Sequence, residues 1–286
     1  MPDGGTRSTR KGAGREDAAA VARRELGAFL RARRERIGPA DVGLPESARR
    51  RTPGLRREEL AVLAGVSTTW YAYVEQGRDV RPSDQVLAAI ADTLRLGPGE
   101  RAHLRALAEG AAGQRRSVSR EGSRPPVVET VAPEVAAVPA LVAPAPAYVT
   151  GATADVLVWN DAAAEFFPGL VRRRDADRPN LARWVFLDPG ARHVLVDWES
   201  VAQSVLARLR TNAGRHPGDE RFRRLAAELR AGSAEADAWW PRYDIAGHRT
   251  GSKRVRHPSR GELTLGHAAF TVADAPEQVL VVYSSP

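Results

Sequence analysis

The chain of 286 residues is long enough for two domains of usual size, and its 43% hydrophobic content is ordinary for a folded protein. The absence of cysteine excludes disulfides, thiolate metal sites and a cysteine nucleophile. The net charge of +8 is placed unevenly: residues 1–57 hold 15 Lys+Arg against 7 Asp+Glu, and the remainder holds 28 of each.

Coding bias towards Arg explains Arg over Lys. It does not explain one unbalanced segment beside a neutral remainder, whereas a partner that is a polyanion does. No apolar run is long enough to span a membrane, and MPDGGTRSTRKGAG lacks the apolar core of a secretory signal, so a cytoplasmic location is expected.

Residues 1–21 are poor in large apolar side chains and read as a disordered basic arm. From Ala22 to Ile37, Leu26, Phe29, Leu30 and Arg33 share one helical face, and Gly38-Pro39 ends the helix. A connector over 38–55 carries Arg49, Arg50 and Arg51.

REELAVLAGVSTTWYAYVEQ, from Arg57 to Gln76, then reads as a helix, a tight turn and a second helix. Leu60, Ala61, Leu63 and Ala64 form the apolar face of the first helix, with Ala61 small where two helices cross. Gly65 sits where the turn needs a positive φ, with Val66 as the buried plug after it. Ser67 is placed to cap the second helix. Tyr71 and Val74 are spaced to pack back on the first helix, so Thr68, Thr69, Ala72 and Tyr73 project outward. A plain helical hairpin in a core has the same spacing; the basic surroundings favour a DNA-reading helix-turn-helix. Gly77 stops the second helix, Pro82-Ser83 opens a fourth and Pro98 a fifth. These elements make an all-α bundle over 22–112.

The Pro- and Val-rich stretch RPPVVETVAPEVAAVPALVAPAPAY reads as an extended linker, bounded as 113–138, with a second domain over 139–286. In that domain short strands are expected at Ala147–Thr150 and Val156–Trp159, helices at Asp161–Phe167, Leu181–Leu187, Trp198–Ala213, Asp219–Ala231 and Glu235–Tyr243, and strands at Arg249–His257, Gly261–Ala268 and Val279–Tyr283. The order of strands and helices predicts a five-stranded antiparallel sheet carrying helices on one side. The overall fold class is therefore α followed by α+β.

The first of these stretches, GLRREELAVLAGVSTTWYAYVEQGRDVRPSDQVLAAIADTLRL, resembles the xenobiotic-response-element type of helix-turn-helix. PAYVTGATADVLVWNDAAAEFF, NLARWVFLDPGARHVLVDWE, GRHPGDERFRRLAAELR and GSKRVRHPSRGELTL resemble the MmyB-like actinobacterial transcription regulators, so the likeness runs over roughly residues 22–286. The resemblance implies a PAS-like second domain that holds a small molecule, a fatty acid being one known type of occupant. It also implies that Arg57 holds a phosphate, that Thr68, Thr69 and Tyr73 face bases, and that Arg34 and Glu75 form an internal ion pair. Arg57 stands where Gln is common in the wider class, which removes the usual bidentate amide contact to adenine.

The residues expected on double-stranded DNA are Arg57, Ser67, Thr68, Thr69, Tyr73, Arg78 and Arg81, with Arg49, Arg50 and Arg51 on phosphates or in a minor groove. Trp159, Phe166, Phe167, Trp184, Phe186, Trp198, Trp239, Tyr243 and Phe270 are candidates to line an apolar pocket, although large rings equally fill cores. Asn160, Arg215, His216 and Arg256 are the polar groups weighed for a ligand head, Asn160 also being a helix cap. His193 between Asp188 and Asp197 lacks the spacing of a helical metal pair. No nucleophile elbow, Gly-rich phosphate loop or HExxH is present, so no catalytic set and no cofactor are expected. A homodimer on two half-sites is the expected assembly. An enzyme tethered to a DNA-binding module, and a second domain acting only as a dimerisation scaffold, are the alternatives.

Overall fold

A computed structural model describes residues 9–45, 54–113, 129–171, 178–245 and 250–284. The side chains of 9–17 are outside the description, and so are Arg49, Arg50 and Arg51. The chain divides into two compact units. The first comprises Met1–Ser119 with Ala213–Glu220 and Pro241–Ile245; the second comprises Arg120–Asn212, Arg221–Trp240 and Ala246–Pro286.

The first unit contains α1 (Thr9–Arg34), a 3-10 turn (Ala40–Val42), α2 (Arg57–Leu63), α3 (Thr68–Glu75), α4 (Asp84–Thr93) and α5 (Pro98–Ala111). α1 starts at Thr9, so the segment expected as a disordered arm is helical from there to residue 21. Ala, Arg and Glu between 15 and 25 are good helix formers and simply extend the amphipathic stretch that follows them.

The core of this unit gathers Leu26, Phe29, Leu30, Leu60, Ala61, Tyr71, Val74, Ile90, Leu104 and Leu107. α1 crosses α3 closely at Gly27, where a Cβ would stand 2.7 Å from the carbonyl oxygen of Val74 and nearer still to that of Glu75. Only glycine permits that approach. Leu63, expected on the apolar face of α2, is instead 41% exposed beside Val62 at 78%. Leu60, Ala61 and Ala64 already fill the buried stripe, and residue 63 falls off it by helical rotation.

Tyr243 packs within this first unit. Its ring meets Phe29 edge-on at 6.3 Å, its hydroxyl donates to Glu25 at 3.1 Å, and its carbonyl accepts from Arg33 at 2.5 Å. It therefore does not join the other aromatic residues expected in a pocket.

The second unit contains α6 (Pro133–Leu141), β1 (Ala147–Thr150), β2 (Val156–Trp159), α7 (Asp161–Phe166), α8 (Leu181–Leu187), α9 (Pro189–Val194), most of α10 (Trp198–Arg215), α11 (Glu220–Gly232), α12 (Ala234–Trp239), β3 (Gly251–His257), β4 (Gly261–Val272) and β5 (Ala275–Ser284). α6 stands inside the stretch expected as extended linker. Pro133 occupies the first helical turn, where its missing N–H costs nothing, and Glu134 favours the same turn.

The five strands form one antiparallel sheet in the order β2-β1-β5-β4-β3. Cross-strand partners share a face. Tyr148 pairs with Val281, Tyr283 with His267 and Lys253 with Leu265, so period-two alternation puts all six on one face. Val281, Tyr283 and Leu265 there are buried. Phe270, paired with Leu280 on the opposite face, is 55% exposed and stands apart from the buried rings.

Candidate nucleic-acid interface and ligand domain

The turn between α2 and α3 is built as the sequence requires. Gly65 has φ +69°, and the N–H of Val66 reaches back to the carbonyl of Ala61 at 2.9 Å. Ser67 caps α3, its hydroxyl accepting from the N–H of Trp70 at 3.2 Å. Tyr71 and Val74 are buried; Thr69 is exposed, and Thr68, Ala72 and Tyr73 are half-buried. The end of α3 repeats the device of α2: Gly77 has φ +70° and the N–H of Arg78 bonds to the carbonyl of Tyr73 at 3.0 Å. That closure brings the Arg78 guanidinium over the Tyr73 ring, 4.3 Å from its centroid. Arg81 is exposed three residues further on.

One buried carboxylate ties this arrangement together. Glu75, with its side chain 1% exposed, accepts from Arg34 Nε and from Arg57 Nε, each at 2.6 Å. Arg34 is itself buried and also donates to the carbonyl of Leu55 at 2.7 Å, which fixes the chain as it enters α2. Arg34 thus joins α1, the approach to α2 and the end of α3.

Burial works against the charged form of Glu75, but the hydrogen bonds from Arg34 and Arg57 outweigh it and hold the carboxyl below its ordinary value. Burial and the neighbouring Glu75 charge push the Tyr71 hydroxyl well up. The expected Arg34–Glu75 pair is present. Arg57, expected only as a phosphate contact, is also a partner of Glu75, with 40% of its side chain exposed. The sequence carried a signal for that link: opposite charges stand at the two far ends of the helix-turn-helix, Arg57 at the start of α2 and Glu75 at the end of α3.

In the second unit the aromatic residues separate into two groups. Tyr148, Phe167 and Tyr283 meet one another with centroids 4.8–6.3 Å apart, and Trp184 joins them through Phe167 at 6.2 Å. Phe186, Trp198 and Trp239 form the other at 6.0–6.4 Å, with the Arg192 guanidinium 3.6 Å from the Trp198 ring centroid. Phe166 packs against His257 at 4.7 Å, and Trp159 is half-buried on the edge strand β2.

Several polar candidates have structural duties. Asn160 caps α7, accepting from Ala163 at 2.9 Å, and gives its amide to the carbonyls of Pro139 and Ala145 at 2.8 Å each. Asp188 caps α9, Asp197 pairs with Arg254, and the exposed Arg256 donates to the carbonyl of His193 at 3.1 Å. Arg215 and His216 fall in the first unit. Among the described residues no three His, Asp or Glu side chains are placed to hold a metal ion, and no helix is long and apolar enough to cross a membrane.

The expectations from sequence did not include a polar group on the covered face of the sheet. The hydroxyls of Tyr148 and Tyr283 lie 3.1 Å apart, and Lys253 Nζ donates to the Tyr283 hydroxyl at 3.0 Å. Lys253 stands two residues before the buried Val255, the parity of an inward position, and that was the available signal.

A search of curated proteins returns no match. A helix-turn-helix domain family matches residues 25–104, and the MmyB-like transcription regulator ligand binding domain matches residues 131–286. With more than half its length covered by that second domain, behind a helix-turn-helix, the chain belongs to the MmyB-like transcription regulators: a DNA-binding regulator with a ligand-binding domain.

Proposed function

We propose that the first unit reads duplex DNA in a sequence-specific way through Thr68, Thr69 and Tyr73 of α3, and that the second holds a small apolar or fatty-acid-like ligand. The observation that carries the DNA reading is the Glu75 anchor, because it fixes the pitch of α3 while leaving the outward face of the helix open. Thr69 and Thr68 offer a hydroxyl and a methyl to base edges. Arg57, Arg78 and Arg81 supply phosphate contacts, which set register without reading sequence. Arg57 is suited to this because Glu75 orients its guanidinium, and Arg78 because the Tyr73 ring supports it. Arg49, Arg50 and Arg51, outside the described residues, are proposed as further contacts to phosphates or a minor groove. A homodimer on half-sites about 34 Å apart, or a multiple of that, matches this class of motif.

A ligand alters DNA affinity only by binding two conformations unequally. The aromatic groups around Phe167 and around Trp198 are the apolar walls offered to it. The close ring contacts within each group also favour a second reading, a solid scaffold that pairs subunits. Native mass spectrometry of the purified chain separates the two: a bound small molecule released on denaturation supports the ligand reading, and an unliganded dimer supports the scaffold. DNA titrations at two salt concentrations test the first unit, with log affinity expected to fall linearly with log salt.

A further inference from the structure

Two stretches of the first unit, Ala213–Glu220 and Pro241–Ile245, come from the region that matches the ligand-binding family and lie outside the helix-turn-helix match. The second of them is a short strap on α1. Tyr243 lays its ring edge-on to Phe29, with its hydroxyl donating to Glu25. Arg33 donates to the carbonyl of Tyr243 at 2.5 Å. Arg36 donates to the carbonyl of Arg242 at 2.5 Å and to the Asp244 carboxylate at 2.6 Å. Ile245 packs against the same core. Glu25, Phe29, Arg33 and Arg36 recur at helical spacing and share one face of α1. Gly27 and Arg34, about half a turn round the helix, lie on the face that meets α3. α1 is therefore held between the strap and the recognition helix.

The strap is tied at its upstream end. Trp239 closes α12, and in the second unit its ring meets Phe186 and Trp198 at 6.4 and 6.0 Å. Between Trp239 and Tyr243 lies a single 3-10 turn, Trp240–Arg242, in which Pro241 narrows the backbone freedom. Tyr243 itself has φ +54°, a left-handed conformation that strains any residue but glycine. Such strain persists where the surroundings over-determine the residue, and the contacts to Glu25, Phe29 and Arg33 do so. A connection this short and this restricted has little slack to absorb a movement of Trp239.

We propose that Pro241–Ile245 is the output segment of the ligand-binding domain, with Tyr243 as a positioning residue for the recognition helix. This rests on the DNA reading of α3 and names the segment that regulates it. Repacking of the Phe186–Trp198–Trp239 group draws on the strap, the strap on α1, and α1 on α3 through Gly27 and the Arg34–Glu75 pair. The element with two states is the strap itself, docked with Tyr243 on Phe29 or released from it. Coupling of this kind is reciprocal, so the state of α3 also biases the Trp239 group.

The test is amide hydrogen exchange of the full chain carrying Trp239→Ala, because Trp239 lies in the second unit and a Tyr243 that merely filled the first core would not transmit its loss. Peptides from α1 and α3 are expected to exchange about fivefold to tenfold faster while β5 keeps its protection. On a Tyr243→Ala background the same change is expected to add nothing further in α1. Trp239→Phe serves as the second variant if Trp239→Ala costs β5 its protection, with a smaller change in the same direction. Faster exchange confined to the second unit overturns the proposal, and so does a fully additive effect on the Tyr243→Ala background. Binding to a random-sequence duplex pool, read by fluorescence anisotropy at two salt concentrations, separates this inference from the DNA reading. Trp239→Ala is expected to weaken binding about fivefold with an unchanged salt slope, because the phosphate contacts remain. Unweakened binding by Trp239→Ala overturns the regulatory link and leaves the DNA reading in place. An unaltered chain that binds no duplex at either salt overturns the DNA reading and this inference with it.

Discussion

Replacing Glu75 by Gln removes one charge and almost no volume from the joint between α1, α2 and α3. Its consequence follows from burial. The Glu75 side chain is 1% exposed and that of Arg34 7%, so the guanidinium left behind has little access to water. The amide can still accept one hydrogen bond but cannot neutralise Arg34. Breaking a buried pair on one side costs about 3–5 kcal/mol, against a domain stability of about 5–15 kcal/mol.

Amide hydrogen exchange of the full chain is the appropriate assay, because it reports local opening and keeps the second unit in view as an internal control. Peptides from α1 and α3 should exchange at least about a hundredfold faster, at about 1.4 kcal/mol per factor of ten, while β4 and β5 hold their protection. The double change Arg34→Met with Glu75→Leu should recover most of the loss, since apolar replacements of similar shape are near neutral at such sites.

The pH dependence has a definite sign. The Glu75 carboxyl lies below its ordinary value of 4.5 in the folded unit, so its contribution is full above 4.5 and is lost as pH falls through the lowered value. The Glu75→Gln protein should therefore show a flatter decline in acid. An exchange change smaller than tenfold in α1 and α3 would refute the argument that this carboxylate holds the helices in place.

The other predictions concern neighbouring parts of the same machinery. Gly27→Ala should push α1 from α3, because the obstructing atoms are backbone carbonyls that cannot turn aside; a loss of about 1–3 kcal/mol is expected in denaturant unfolding followed by Trp70 fluorescence. Tyr243→Ala should cost about 3 kcal/mol of first-unit stability by removing a ring from its core, read as faster exchange in α1. An unchanged α1 would show that Tyr243 is not part of that core. Arg78→Ala should weaken binding to every duplex alike and reduce the salt slope by about one unit; an unchanged slope removes Arg78 from the phosphate contacts.

Local chemistry made the helix-turn-helix legible. Ser67 and Ser83 cap, Gly65 and Gly77 take positive φ, and each fixes an element end within a residue. β1 and β2 were equally clear, because short apolar runs lie between turn residues. α9 was legible only at its start: Asp188-Pro189 reads as a helix cap and turn, but six residues are too few to show a helical period. β4 and β5 run on to a tight turn after Val272, where Ala273-Asp274 replaces the longer loop expected between them.

What escaped at the candidate sites is non-local. A count of aromatic residues does not say that Phe167 and Trp198 stand in different groups, or that Tyr243 packs on Phe29 more than two hundred residues earlier. Lys253 lies in an alternating strand and carried no expectation of its own from the sequence. Only the pairing register puts it beside Tyr283.

The central claim is that α3, pinned by Glu75, reads base edges. Selection of fragments bound by the full chain from a random duplex pool tests it most directly. The account predicts recovery of a defined motif, two half-sites about one helical turn apart or a multiple of that, with the preference lost on Thr69→Ala or Tyr73→Ala while salt-sensitive binding persists. A bound pool no different from the input would contradict it.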